Sequence, residues 1–290
     1  MKKYQTQVDA TNWPLCESPF FYDLINHIDM SDSQKEQAIH FHENGYIVLD
    51  LGLTDDQLNE LRTEIDLINS NDSTKTQDER YHYSKGKRIF EGWKQSKLLR
   101  DLSLDTKVLD FLKLMYQRTP VPFQTITFNF GSNQPLHSDL LHFSTMPQRW
   151  MSACWIALED MDEDNGTLSY VPMSHKLPIF EFYDLNIKAP KFGEQFESYA
   201  EYEEFVRQLV ESKKLKTEKL ICKKGQALIW AANLFHGGTE IKDENRSRYS
   251  HVTHYYFEGC DKYYSPLFSE TWKGEFSEKD LTNKNFYDHE

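Results

Sequence analysis

From Val121 onward the sequence breaks into short apolar or alternating runs, each bounded by Gly, Asn, Asp or Pro: "VPFQTITFNFGS", "WMSACWIALED", "GTLSYVPMSH", "GQALIWAAN" and "YSHVTHYYFEG". A run of this length buries one face only against neighbours of the same kind. Several in a row predict antiparallel strands closed into a sandwich or barrel. One helical stretch interrupts them, "QFESYAEYEEFVRQLVESKK" at 195–214. An insertion there is placed either to shape the mouth of a barrel or to pack on its outer sheet face.

Before Val121 the periodicity is different. Residues 1–32 form an irregular or weakly helical lead-in, and in "DSQKEQAIHFHEN" the apolar positions do not decide a period. "YIVLDLG" reads as a short buried strand. "TDDQLNELRTEIDLINS" reads as a helix, with Thr54 as N-cap, Gln57 three places on, and Leu58, Leu61, Ile65 and Ile68 in one stripe. "NSNDSTKTQDERYHYSKGKR" is polar and turn-rich, a surface excursion. A second helical pattern, "DTKVLDFLKLMYQR", stops before Pro120. With no repeat, low-complexity tract or linker, residues 1–290 are expected to form one domain.

With 46 acidic and 33 basic residues, the formal charge is −13. Such a balance disfavours a nucleic-acid partner, because phosphate contacts need a basic face. Cys16, Cys154, Cys222 and Cys260 are scattered without a CxxC pair, as free thiols are. The N-terminus has no long apolar stretch, and no window resembles a membrane span. A cytoplasmic protein with a small-molecule substrate, and no membrane partner, is expected.

Within the strand-rich half, "NQPLHSDLLHF" places His137 and Asp139 two apart. In extended backbone, residues i and i+2 project from one side about 6.6 Å apart, so both can approach one ion while Ser138 turns away. A third ligand candidate, His236, comes 99 residues later, after "ALIW" and directly before Gly237 and Gly238, which permit a close backbone approach beside a metal or cosubstrate. Two histidines and a carboxylate on one face of an octahedral ion leave three positions open, the facial triad of non-haem Fe(II) oxygenases. Twelve positions beyond His236, Arg248 opens the strand "RYSHVTHYYF" and can hold a carboxylate bidentately; Arg246 is its rival.

These blocks together resemble the phytanoyl-CoA dioxygenase family of Fe(II)- and 2-oxoglutarate-dependent oxygenases. "ENGYIVLDLG", "TDDQLNELRTEI", "FNFGSNQPLHSD", "WIALEDMDEDNGTLSYVPMSH", "FHGG" and "RYSHVTHYYF" follow in the family's order, and the similarity covers most of residues 37–260. With the short strands after Val121, the resemblance implies a mainly β fold, a double-stranded β-helix (jelly-roll, cupin-like) supported by N-terminal helices and carrying one helical insertion. It implies His137, Asp139 and His236 as ligands of Fe(II), and Arg248 at the far carboxylate of the cosubstrate 2-oxoglutarate. Trp155 matches an aromatic position beside the cosubstrate. Where the family often has a small hydroxyl two beyond the distal histidine, this chain has Gly238, and Thr239 is the candidate to compensate. Retention of Asp139 favours hydroxylation over halogenation, with O2 consumed and succinate and carbon dioxide released.

Asn129 and Gln134 stand in the strand and loop leading to His137, as pocket hydrogen-bond donors or as turn residues. His142, Arg149 and Tyr170 are weaker substrate-side candidates, and His254 reads as a core residue rather than a fourth ligand. The sequence names no substrate beyond a small organic molecule. Two other readings stay open: another metal-dependent cupin-type enzyme, an isomerase or hydrolase, and a non-catalytic binding module.

Overall fold

The computed structural model describes residues 12–71, 88–191 and 197–281. The polar excursion beginning at residue 69 falls largely outside the described residues, as do the first eleven. Among the described residues six α-helices and eleven strands follow in the order α1 (Phe21–Leu24), α2 (Asp32–Asn44), β1 (Tyr46–Asp50), α3 (Asp55–Asn71), β2 (Arg88–Phe90), α4 (Lys97–Ser103), α5 (Thr106–Tyr116) and β3 (Pro120–Phe128). After these come β4 (Ser144–Met146), β5 (Met151–Ala157), β6 (Leu168–Tyr170), α6 (Glu197–Ser212), β7 (Glu218–Lys219), β8 (Gln226–Ala231), β9 (His236–Gly238), β10 (Ser250–Phe257) and β11 (Lys262–Tyr264).

Helix starts follow from their caps. At α3 the Gln57 N–H donates to Thr54 Oγ1 at 3.3 Å, while Gln57 Oε1 accepts the Thr54 N–H at 2.9 Å. This is the reciprocal box expected from the sequence. Ser31 and Gln34 make the same box at α2. Leu58, Leu61, Ile65 and Ile68 are all buried, as their stripe requires.

The strands pair antiparallel in three sheets: six strands in the order β1-β8-β5-β10-β3-β2, three in the order β7-β6-β9, and the pair β11-β4. Alternation sorts β10 between two cores. Tyr255 and Phe257 pack with α2, α3, α4 and α5 in one hydrophobic cluster. Val252 and Tyr256 join Trp155, Leu228 and Trp230 in another, which reaches Leu168 and Tyr170 of β6. The large sheet therefore has helices on one face and the small sheet on the other.

Two expectations change. The fold is mixed rather than mainly β, since more of the described residues lie in helices than in strands. The three sheets also do not join into a closed barrel among the described residues, because β4, β6, β7, β9 and β11 span only two or three residues each. Such short strands cannot carry a continuous ladder around the rim. The inserted helix α6 packs Tyr199, Tyr202, Val206 and Val210 into a third cluster with Leu141 and Phe235, beside the segments that carry Asp139 and His236.

Candidate metal centre

His236 opens β9, and the loop after β3 brings His137 against it. The two residues exchange both backbone hydrogen bonds, His137 N to His236 O at 2.9 Å and His236 N to His137 O at 3.0 Å. Their imidazoles then stand with centroids 4.5 Å apart. Asp139 begins a short 3-10 turn, Asp139–Leu141. Ser138 points away as the alternation predicts, donating to Asn233 Oδ1 at 3.1 Å and accepting from Leu140 N at 3.3 Å. Its own N–H donates to Tyr202 Oη of α6 at 3.3 Å, so the inserted helix braces the turn between the two candidate ligands.

One carboxylate oxygen gathers the site. Asp139 Oδ1 lies 3.8 Å from His137 Nε2 and 3.7 Å from His236 Nε2, and the three ligand atoms are all within 4.8 Å of one another. Each histidine is oriented from behind: His137 Nδ1 donates to Pro135 O at 2.9 Å and His236 Nδ1 to Leu234 O at 3.0 Å. A carbonyl can only accept, so the proton sits on Nδ1 and the Nε2 lone pair faces Asp139. Burial pushes both histidines down to about 4, with His236 adding to the effect on His137, so both are neutral at pH 7. Two neutral nitrogens and one carboxylate oxygen, aimed at a shared point, suit Fe(II).

The glycines after His236 have a different purpose from the one expected. A Cβ on Gly237 would come within 2.5 Å of Gln134 O, and one on Gly238 within 2.5 Å of Ser132 Oγ. The close approach is thus to the loop that carries His137, which could not dock on β9 otherwise.

The three residues line a cavity of about 110 Å³ between the sheets, together with Arg248, Trp155 and Ser132. Arg248 is 1% exposed; its Nη2 donates to Phe130 O at 3.3 Å, and Nε and Nη1 have no hydrogen-bond partner among the described residues. Burial, and then the neighbouring Arg88, push its pKa down to about 9. A guanidinium held this way gains from an anionic ligand. The sequence profile of the phytanoyl-CoA dioxygenase family matches residues 41–248, a span that holds the whole triad and this arginine. The chain belongs to that family.

Curated relatives in the family agree. The peroxisomal phytanoyl-CoA dioxygenase of Rattus norvegicus is 24% identical over 182 residues, 57% of this chain and 53% of the rat protein. That of Bos taurus is 40% identical over 48 residues, 17% of this chain and 14% of the bovine one. The chain therefore matches about half the length of the rat relative and a smaller part of the bovine one. Among solved structures, the 2-oxoglutarate-dependent epimerase SnoN of nogalamycin biosynthesis superposes with a TM-score of 0.60 at 14% identity, covering 80% of this chain and 85% of its own. The carbocyclase SnoK gives 0.60 at 14%, covering 82% and 87%. EctD from S. alaskensis, solved with 2-oxoglutarate and 5-hydroxyectoine, gives 0.59 at 18%, covering 80% of each chain. These likenesses identify a mixed α/β fold related to the double-stranded β-helix. With the triad, family membership supports the class of Fe(II)/2-oxoglutarate oxygenases.

The expected cytoplasmic location is overturned, since both curated relatives in the family carry peroxisomal names. Peroxisomal import reads short addresses that need no apolar stretch, so apolar stretches do not decide the compartment. No helix among the described residues is long and apolar enough to cross a membrane. The four cysteines form no disulfide.

The remaining candidates divide. Gln134 lines the cavity, its Nε2 3.3 Å from His137 Nε2, and Trp155 lines it with its ring 5.7 Å from the Arg248 guanidinium carbon. Thr239 does not: one step along from Gly238 it faces the other way, and its hydroxyl donates to Thr167 O at 3.0 Å. Asn129 is also outside the lining; its backbone carbonyl accepts the Arg248 N–H at 2.9 Å. Arg246 pairs with Asp162 at 2.9 Å on the surface, away from the cavity. His142 lines the cavity and meets Tyr199 Oη of α6 at 2.9 Å. Arg149 is paired with Glu17, and Tyr170 packs on Tyr46, both outside it. His254 Nε2 stands 3.9 Å from Asp139 Oδ1 yet outside the mutually close set of three. Sequence reasoning missed Ser132 and Trp230, whose hydroxyl and indole carry no spacing signal.

Proposed function

We propose that the protein is an Fe(II)- and 2-oxoglutarate-dependent dioxygenase that hydroxylates a small organic substrate. The observation that carries this reading is one cavity holding both the His137–Asp139–His236 triad and the buried, under-partnered guanidinium of Arg248. A triad alone would serve a hydrolase or isomerase equally well; the buried guanidinium in the same cavity adds a partner for an anionic cosubstrate such as 2-oxoglutarate. In this reading the two Nε2 atoms and Asp139 Oδ1 hold Fe(II), which when bound with 2-oxoglutarate supplies the oxidising chemistry from O2.

The chain's own groups set the geometry. Arg248 receives the far carboxylate of the cosubstrate. Ser132, a 5% exposed residue lining the same cavity, assists it with the hydroxyl that fills the space beside Gly238. Trp155 walls the cosubstrate with its ring. Pro135 and Leu234 carbonyls hold the protons of both histidines on Nδ1, so no proton competes at the metal-facing nitrogens at neutral pH. Phe143 and Val252 present apolar surface on the substrate side and exclude water.

The test is turnover of a substrate panel in air with Fe(II), ascorbate and 2-oxoglutarate, read by product mass. Hydroxylation adds one oxygen atom and releases one succinate per product. Product formed without succinate would sink the cosubstrate assignment, and succinate with a product lacking the extra oxygen would place the enzyme with epimerases or ring-closing relatives.

A further inference from the structure

The two oxygens of Asp139 have different neighbours. Oδ1 faces the imidazoles, as described above. Oδ2 accepts the indole N–H of Trp230 at 2.8 Å, in surroundings where Asp139 is 3% and Trp230 2% exposed. Trp230 has little freedom to move. Its backbone lies in β8 between Tyr46 of β1 and Ala153 of β5, and its carbonyl also accepts the Ser152 hydroxyl at 2.7 Å. Its ring packs against that of His236, centroids 4.5 Å apart, so it touches two of the three candidate ligands at once.

A carboxylate with both oxygens free can bind a divalent ion through one or chelate it through two. Chelation would consume a coordination position that the cosubstrate or oxygen needs. We propose that Trp230 is a positioning residue whose N–H engages Oδ2 and thereby restricts Asp139 to one-oxygen coordination. The inference rests on the metal-centre reading above. The bland account is that a buried indole simply finds an acceptor. Trp155, on the neighbouring strand, argues against that as a requirement, because its N–H is buried without a hydrogen-bond partner among the described residues.

The experiment separates the N–H from the ring. Wild type, Trp230→Phe, and protein carrying β-(3-benzothienyl)alanine at position 230 are loaded with Co(II), and metal-bound minus metal-free infrared spectra are recorded. The benzothienyl side chain keeps the bicyclic volume and lacks the N–H, so it serves even where phenylalanine fails to fold. The antisymmetric and symmetric carboxylate stretches should be widely separated in wild type, as for one-oxygen binding, and closer in both variants, as for chelation. Co(II) affinity should fall about tenfold or more, the usual effect of removing a group that orients a ligand. An unchanged separation in the benzothienyl protein overturns the proposal even if affinity falls, since lost packing alone would weaken binding. His137→Ala keeps the two levels distinct. If wild type binds Co(II) and His137→Ala does not, the centre stands and the spectra judge Trp230 alone. If wild type takes up no Co(II), the centre fails and this inference falls with it.

Discussion

Arg248 has a charge, almost no exposure and one backbone acceptor, so its substitution separates cosubstrate binding from metal binding. Arg248→Ala should cost 2-oxoglutarate roughly 2–5 kcal/mol, a loss of about 30-fold or more in affinity. Fe(II) binding should stay near wild type. Arg248→Lys should recover part of the loss, because a point charge lacks the guanidinium fork. Arg246→Ala, whose side chain meets Asp162 on the surface, should change little. Anaerobic titration of 2-oxoglutarate into the Fe(II) proteins, followed by the visible charge-transfer band, reads all three; equal affinities in Arg248→Ala and wild type would remove the assignment. Ser132→Ala in the same titration should lose about tenfold, the worth of a hydrogen bond to a charged group. At this scale the ligand candidates were legible because the His137–Asp139 spacing and the block around His236 are local in sequence. Ser132 was not, since its relation to Gly238 exists only after the loop docks on β9. Thr239 misleads for the same reason: it is next to Gly238 in sequence, but its hydroxyl turns to Thr167 O and not into the cavity.

Secondary structure was most legible where caps and stripes coincide. α3 has both, and its expected N-cap and buried face are found. The apolar positions of α2 decide no period because only Ala38 and Phe41 are buried along it, yet its start carries a readable Ser31–Gln34 box. The α3 stripe makes a quantitative demand. Ile65 is wholly buried, so Ile65→Ala should destabilise by about 2–5 kcal/mol. Urea unfolding followed by far-ultraviolet circular dichroism measures it, and a cost under about 1 kcal/mol would mean that the helix contributes little to the core. The closed barrel was over-read because apolar runs register as strands whether or not their backbones pair over their full length. "GTLSYVPMSH", for example, supplies only the three residues of β6. Periodicity also could not place α6. Its tyrosines on Ser138 and His142 show that it stands over the ligand turn rather than on the outer face of the large sheet.

Over the whole molecule, the buried histidines set the response to acid. Burial holds His137, His175, His236 and His254 down at about 4 and His251 at about 3, and lowers His142 as well. In the unfolded chain these groups titrate near 6.5. As pH falls below about 6.5 the unfolded state takes up protons that the folded state refuses, so stability is complete above that value and drains away toward about 4. Each group contributes up to about 1.4 kcal/mol per pH unit, and two or three acting together would exhaust an ordinary folding free energy. Thermal melts of the EDTA-treated protein should therefore show a transition temperature that falls as pH drops from about 6.5 toward 5; a flat profile there would refute the buried, neutral state of these side chains. The mutual backbone bonds of His137 and His236 have a further consequence, for the order of events in the cell. They join positions 99 apart in sequence, closing a loop that includes α6 and two of the large sheet's four interior strands, β5 and β8. A chain still leaving the ribosome holds the His137–Asp139 pair long before His236 exists, and two ligands alone hold iron weakly. In the proposed reading the full ligand set therefore exists only once β9 has docked on the loop that carries His137.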